Sequence, residues 1–240
     1  MPAMRRALAC NHLLQALPSR DRRRMQDGCE SVLLGYGEVV YVPGHPIEQV
    51  HFPTASFISL IMPVDDAACI EVGMVGREGM FGIPLALGVD VSPVRAVVQG
   101  AGPALRMEAA RFRSELARSQ PLRHAMGRYT FVHLNQLAQA AACTRFHVVE
   151  ARLARWLLMT QDRAQEDTFH VTHEFLAFML GVRRVGVTKA ASALQRRGLI
   201  GYSRGDVTVL DRRGLKVASC SCYKADRDAH DRVLGPAVAR

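Results

Sequence analysis

Cationic side chains crowd residues 183–216, where nine Lys and Arg stand against two acids, Asp206 and Asp211. Guanidinium and ammonium groups at that density suit the neutralisation of phosphates and donation to the acceptor edges of bases. The stretch that presents them reads THEFLAFMLGVRRVGVTKAASALQRRGLIGYSRGDVTVL over residues 172–210. Thr172 suits an N-cap, and Phe175, Leu176 and Met179 share the buried side of a short helix from Glu174 to Leu180. Gly181 permits a tight turn, and Val182 can anchor it in the core. A second helix opens on Arg183 and Arg184, with Val187, Ala190, Ala191 and Leu194 on its apolar face and Gly198 at its close. A β-rich hairpin follows. The layout predicts a winged helix-turn-helix, whose second helix lies in the major groove of DNA.

The face opposite that apolar stripe carries Arg183, Arg184, Gly186, Thr188, Lys189 and Ser192. Arg184 and Lys189 are expected to reach base edges, because cationic donors match the two guanine acceptors in the major groove. Arg183, Arg196, Arg197 and Arg204 are expected on phosphate, where they add affinity without sequence information. Thr172, at the start of the first helix, joins this set of expected DNA contacts.

Other chemistries find less support. The chain has no P-loop, and His12, His45, His51, His124, His133 and His147 show no H-x-x-x-H or HExxH spacing, so no enzyme is expected. The six cysteines, at 10, 29, 69, 143, 220 and 222, make no disulfide framework. The close pair Cys220 and Cys222 could ligate a metal or be oxidised, but two ligands do not complete a tetrahedral site, and His230 is the only third the sequence suggests. No metal is therefore expected.

At 240 residues the chain is long enough for one or two domains with cores of their own. Its 49% hydrophobic and 22% charged residues fit an ordinary globular protein. The net charge of +9 is uneven: residues 145–240 hold 17 basic and 10 acidic side chains and so carry +7 of it. That asymmetry fits a near-neutral sensor or oligomerisation region joined to a basic nucleic-acid module. No apolar run approaches the roughly 20 residues of a membrane span. The arginine-containing N-terminus has no apolar signal core, and Leu13, Leu14 and Leu17 fit a short helix ending before Pro18. A cytoplasmic location without membrane contact is expected.

Between the basic linker Arg20–Arg24 and residue 108, short β-like runs alternate with Gly and Pro: Val32–Leu34, Glu38–Tyr41, Gln49–Phe52, Phe57–Met62, Ala68–Val75, Val94–Gln99 and Ala104–Met107. Their spacing predicts a small antiparallel barrel or roll. Arg111–Arg118 reads as a short helix, Leu122–Phe146 as a long one and Val148–Asp162 as a third. On the long helix Leu122, Met126, Tyr129, His133, Gln136, Ala140 and Cys143 follow a 4-3-4 seam, and a second seam runs through Phe131, Leu134, Ala138 and Ala141. One seam would pack on the barrel and the other on a second copy. The first is assigned to the dimer interface, because His133 and Gln136 could fix its register; a single buried helix in a monomer is the other possibility.

With these residues in place, the chain resembles the Crp/Fnr family, the cyclic-AMP receptor protein and fumarate–nitrate reduction regulators. EFLAFMLGVRRVGVTKAASALQRRGLI is similar to the family's recognition segment, and NHLLQALP and FISLIMPV to its N-terminal helix and roll. GMVGREGMFGIPLALG and the late CSCY resemble a proteobacterial subgroup without an assigned effector. The resemblance implies an α+β chain: a cyclic-nucleotide-binding-like β-roll over 1–120, a dimerisation helix over 121–146, a winged helix-turn-helix over 147–218 and a tail over 219–240. It implies a homodimer bound to double-stranded DNA at a pseudo-palindromic operator, with RNA polymerase as a further partner if the protein activates.

The departures from the family pattern concern the effector pocket, here Gly82, Ile83, Pro84, Ser92 and Arg95. Nucleotide-binding members carry a glycine–glutamate pair and then an arginine–serine pair. Here Ile83 follows Gly82, Ser92-Pro93 or Pro93-Val94 falls where arginine–serine belongs, Arg95 begins the next strand, and Pro84 removes an amide donor. This speaks against cyclic AMP. Cys10 and Cys29 alone near the N-terminus speak against an iron–sulfur cluster, so no cofactor is expected. The competing functional class is a small-ligand-binding or interaction module with nonspecific nucleic-acid affinity.

Overall fold

The computed structural model describes residues 11–65, 68–164 and 166–235. Cys10 lies outside them. Two compact units divide the described residues: one takes in those up to 60, 74–134 and those from 230 onward, the other 61–73 and 135–229.

The first unit opens with α1 (His12–Gln15), capped by the Asn11 side chain, which accepts from the Leu14 amide. Asn11 is fully buried, and its amide nitrogen donates to the carbonyls of Pro53 and Gly79 at 2.9 and 2.8 Å. The span taken for a basic linker is helical, α2 (Ser19–Asp27), since Met25 gives it a buried anchor and Asp21 and Arg24 pair across one turn. The seven expected strands all form, most of them longer than expected: β1 (Glu30–Leu34), β2 (Val39–Tyr41), β3 (Gln49–Pro53), β4 (Phe57–Asp65), β5 (Ala68–Val75), β6 (Arg95–Gly100) and β7 (Gly102–Glu108). A short helix, α3 (Ile83–Ala86), interrupts them.

The strands make two sheets, ordered β1-β7-β3 and β2-β6-β4-β5. In the first, β7 pairs antiparallel with both neighbours, Val32 facing Ala104 and Val50 facing Met107. Alternation puts Val98, Leu105 and Met107 inside, and Phe52, Ile58 and Phe112 are buried as well. Phe52 and Phe112 are nearly edge to face, centroids 6.3 Å apart. Phe112 comes from α4 (Ala109–Arg118), and α5 (Gln120–Phe146), 27 residues long, follows it.

On α5 the two seams part company. Leu122, Met126 and Tyr129 are 0, 3 and 4% exposed within a single chain, and the Tyr129 hydroxyl donates to the Met80 carbonyl at 3.2 Å. Gly79 is what admits that ring, because a Cβ there would lie 2.0 Å from the Tyr129 oxygen. These three expected dimer contacts are therefore core residues of their own roll. Phe131 and Leu134, by contrast, are each 59% exposed. The first seam as far as Tyr129 thus packs inside the roll, where large apolar side chains and a tyrosine that finds a carbonyl belong, while His133, Gln136 and Ala140 are half-buried.

The second unit holds the last part of α5, then α6 (Val149–Ala164), β8 (Thr168–His170), α7 (His173–Leu180), α8 (Arg184–Arg196), β9 (Ile200–Ser203), β10 (Asp206–Val209), α9 (Arg212–Ala218) and most of α10 (Cys222–Leu234). A three-stranded sheet, β8-β10-β9, forms the wing. The span expected as a tail is the helix α10, held by the buried Tyr223, whose hydroxyl donates to Asp162 at 2.8 Å. Among the described residues, no helix is long and apolar enough to cross a membrane.

Candidate nucleic-acid interface

Helix α7 is closed at both ends by capping hydrogen bonds. Thr172 accepts from the Phe175 amide at 3.1 Å and caps α7. At the other end Gly181 takes φ 60° and ψ 44°, while Val182 N–H reaches Ala177 O at 3.0 Å and Gly181 N–H reaches Phe178 O at 3.2 Å. This is a Schellman stop, which needs a residue tolerant of the left-handed region. The same device ends α8, with Leu199 N–H on Leu194 O and Gly198 N–H on Gln195 O.

Three residues, 181–183, then separate the helices. Leu176, Met179 and Leu180 of α7 are buried, as are Val187, Ala190, Ala191 and Leu194 of α8. The 3.6-residue period leaves the other face of α8 outward: Arg183, Arg184, Thr188 and Lys189 are exposed, with Gly186 and Ser192 half-buried. Arg183 is the extended N-cap residue and Arg184 the first helical one. Arg184 thus stands at the end of the helix that enters a groove first, and Lys189 follows about 7–8 Å further along the axis. Arg196 lies at the far end, about 18 Å from Arg184.

The wing tip is Arg204-Gly205, a two-residue hairpin loop with φ 53° and 90°. Positive φ at both positions is the type I′ geometry that matches strand twist, and it holds the exposed Arg204 at the apex. Among the described residues Arg183, Arg184, Lys189, Arg196 and Arg204 have no carboxylate partner, so their charge is free for an anion. Arg197 differs: it pairs with Glu150 at 2.9 Å. Arg212 is likewise committed inward, on Asp162 at 2.5 Å and the Tyr223 hydroxyl at 3.0 Å.

His173 was not among the expected contacts. Its Nδ1 lies 3.1 Å from Thr188 Oγ1, its ring stacks on Tyr202 at 4.4 Å, and burial, with Arg184 nearby, pushes its pKa down. Through these contacts His173 links α7, α8 and the wing. Lying one residue after the cap and four before Ala177, it was hidden among ordinary first-turn residues.

In the roll, Gly82 takes φ 113° as the cap of α3, and a Cβ there would come within 2.6 Å of Val50. Ile83 is buried, and Pro84 lies in the first turn. Tyr41 packs on Phe81 at 4.3 Å, with its hydroxyl on the Gln49 carbonyl, and fills the space beside Gly82. Ser92 is buried and turned onto its own chain, Oγ donating to Val94 O at 2.7 Å. Arg95 opens β6 on the exposed face. The five residues expected at the pocket thus converge no cation and no carboxylate on a common point. His51, also in this region, is buried and held neutral, its pKa pushed down to about 4 by burial and by Arg106.

Comparison with known proteins agrees with the geometry. Residues 151–218 match the family model of the Crp-like helix-turn-helix domain. No curated protein sequence matches the chain. Among solved structures, a regulator of the Crp/Fnr family from Eubacterium rectale superposes with a TM-score of 0.68 at 16% identity, over 86% of this chain and 96% of the other. FixK2 from Bradyrhizobium japonicum gives 0.68 at 14% identity, over 80% and 98%. A CRP-family regulator from Thermus thermophilus gives 0.66 at 21%, over 78% and 96%. The chain carries a Crp-like helix-turn-helix domain, the DNA-binding module of a transcription regulator. Its whole fold, roll, long helix and winged domain, is that of Crp/Fnr regulators.

Proposed function

We propose that the chain acts as a homodimeric, sequence-specific transcription regulator that binds a pseudo-palindromic operator and answers a signal received by the roll. The observation that carries this is the outward face of α8, where unpaired Arg183, Arg184 and Lys189 share one side of a capped helix that follows a three-residue turn. Arg184 and Lys189 read base edges; Arg183, Arg196 and Arg204 hold phosphate. Arg197 is withdrawn from that set by its pairing with Glu150. If the protein activates, RNA polymerase is a further partner, and the function places it in the cytoplasm.

The partner copy lies along the second seam of α5. Phe131, Leu134, Ala138 and Ala141 are exposed at 3-4-3 spacing, and Gly127, one turn earlier, has nothing within 4 Å of its Cβ position. A bare backbone followed by two large apolar side chains suits close approach of an equivalent helix.

Selection of binding sites from random duplexes, followed by competition, tests the function. The selected operator should outcompete random DNA by about a thousandfold or more. Equal competition would leave only nonspecific affinity. The roll's signal is not cyclic AMP, because Ile83 supplies no ribose-holding carboxylate and Arg95 faces away from the roll interior. Calorimetry should find no micromolar cyclic-AMP site; one abolished by Arg95→Ala would reverse this assignment.

A further inference from the structure

Four side chains with metal-ligating atoms converge in the second unit, from two places far apart in sequence. Cys143 and His147 stand at i and i+4 at the end of α5, and the His147 amide continues the helical turn onto Cys143 O at 3.2 Å. That spacing puts both on one face. Cys220 and Cys222 flank the junction of α9 and α10, where extended backbone at Ser219 lets both sulfurs turn inward and leaves Ser221 exposed. The Sγ atoms of Cys143, Cys220 and Cys222 and a ring nitrogen of His147 all lie within 4.8 Å of one another. Cys143 Sγ is 3.5 Å from Cys220 Sγ, and Cys222 Sγ is 3.5 Å from His147 Nδ1.

We propose that these four residues form a closed, tetrahedral Cys3His site for one thiophilic divalent cation of the zinc class. The distances fit a single ion. Ligands about 2.3 Å (sulfur) and 2.0–2.1 Å (nitrogen) from a tetrahedral centre stand about 3.5–3.8 Å from each other, so the two close pairs are already at that edge length. An iron–sulfur cluster would push its ligand sulfurs further apart, because several irons must sit between them. Three thiolates and an imidazole are the donor set that selects zinc over hard cations. All four positions are filled by protein, which makes the site structural rather than catalytic.

The surroundings support an anionic centre. All three cysteines are nearly inaccessible, at 2, 6 and 1%. Gln139, one turn before Cys143, donates to Cys222 Sγ at 2.9 Å. Arg152 is buried beside the group, hydrogen-bonded to the Leu180 carbonyl but, among the described residues, with no carboxylate partner. A buried guanidinium needs a counter-charge, and three thiolates round a divalent ion leave one net negative charge. Loading releases up to three protons, one from each thiol, and ties the end of α5 to the α9–α10 junction. The sequence had offered His230 as a third ligand; the group takes Cys143 and His147 instead.

The full-length chain, purified under reducing conditions and stripped with a chelator, is titrated with Co²⁺ and then Zn²⁺. One Co²⁺ per chain should give the visible bands of a tetrahedral thiolate complex, and Zn²⁺ should abolish them. His147→Ala and Cys222→Ser should lose the bands, Gln139→Ala should weaken binding about 10–100-fold, and Cys29→Ser and Cys69→Ser should change nothing. Because a cysteine variant may misfold, alkylation of the unaltered protein is read in parallel. Cys143, Cys220 and Cys222 should be protected when loaded and react after stripping. Absence of Co²⁺ bands in the folded chain, equal loss in the Cys29 or Cys69 variants, unchanged alkylation, or a Cys143–Cys220 disulfide persisting under reducing conditions would each overturn the site.

Discussion

Arg184 and Arg204 are both exposed cations that, among the described residues, have no carboxylate partner, yet they stand at different places. Arg184 is the first residue of α8, where a recognition helix meets base edges, whereas Arg204 sits at the apex of a type I′ loop. Arg184→Ala should therefore cost about 1–3 kcal/mol on the selected operator and relax preference at one base position. Arg204→Ala should weaken operator and random duplex alike. Binding curves for both variants on both duplexes check this, and equal losses on both duplexes for Arg184→Ala would remove it from base reading. The exposure of both side chains was legible in the sequence because charge and helical period are local signals. The pairing of Arg197 with Glu150 was not, since 47 residues separate them. Nor was the Cys143–His147 spacing, which carries one cysteine and one histidine and so matches no two-histidine motif.

Among the elements, α5 shows how far periodicity reaches. Its length and both seams follow from the spacing of apolar residues, but spacing cannot say which seam meets which partner. Tyr129 decides the matter, through a carbonyl at Met80 and a glycine at 79 that makes room for its ring. Two outcomes follow. Leu134→Glu places charge on the exposed seam and should dissociate the dimer in sedimentation at micromolar concentration, leaving the thermal stability of the roll nearly unchanged. Met126→Glu buries an unpaired carboxylate in the roll and should destabilise it by several kcal/mol. A dimer unchanged by Leu134→Glu would move the interface elsewhere. The strands, announced by Gly and Pro punctuation, were readable in number and order, although most run longer than the spacing alone gives. Helix α10 was not, because Tyr223 and Cys222 anchor it through contacts with residues 61 and 83 positions away.

For the whole molecule, the charge is divided between a near-neutral N-terminal part and a basic C-terminal part, and the fold is shared with Crp/Fnr regulators. In the roll, Ile83 is buried, Tyr41 fills the space beside Gly82 and Arg95 is exposed. The central claim is that two copies bind together, each placing one α8 in a major groove. Twofold symmetry then sets half-sites about 34 Å apart, one helical turn of DNA. The direct measurement is the affinity of the dimer for its selected operator, before and after insertion of about five base pairs, half a turn, between the half-sites. The insertion puts the half-sites on opposite faces of the duplex and should reduce affinity to that of a single half-site. Affinity independent of the insertion would contradict it.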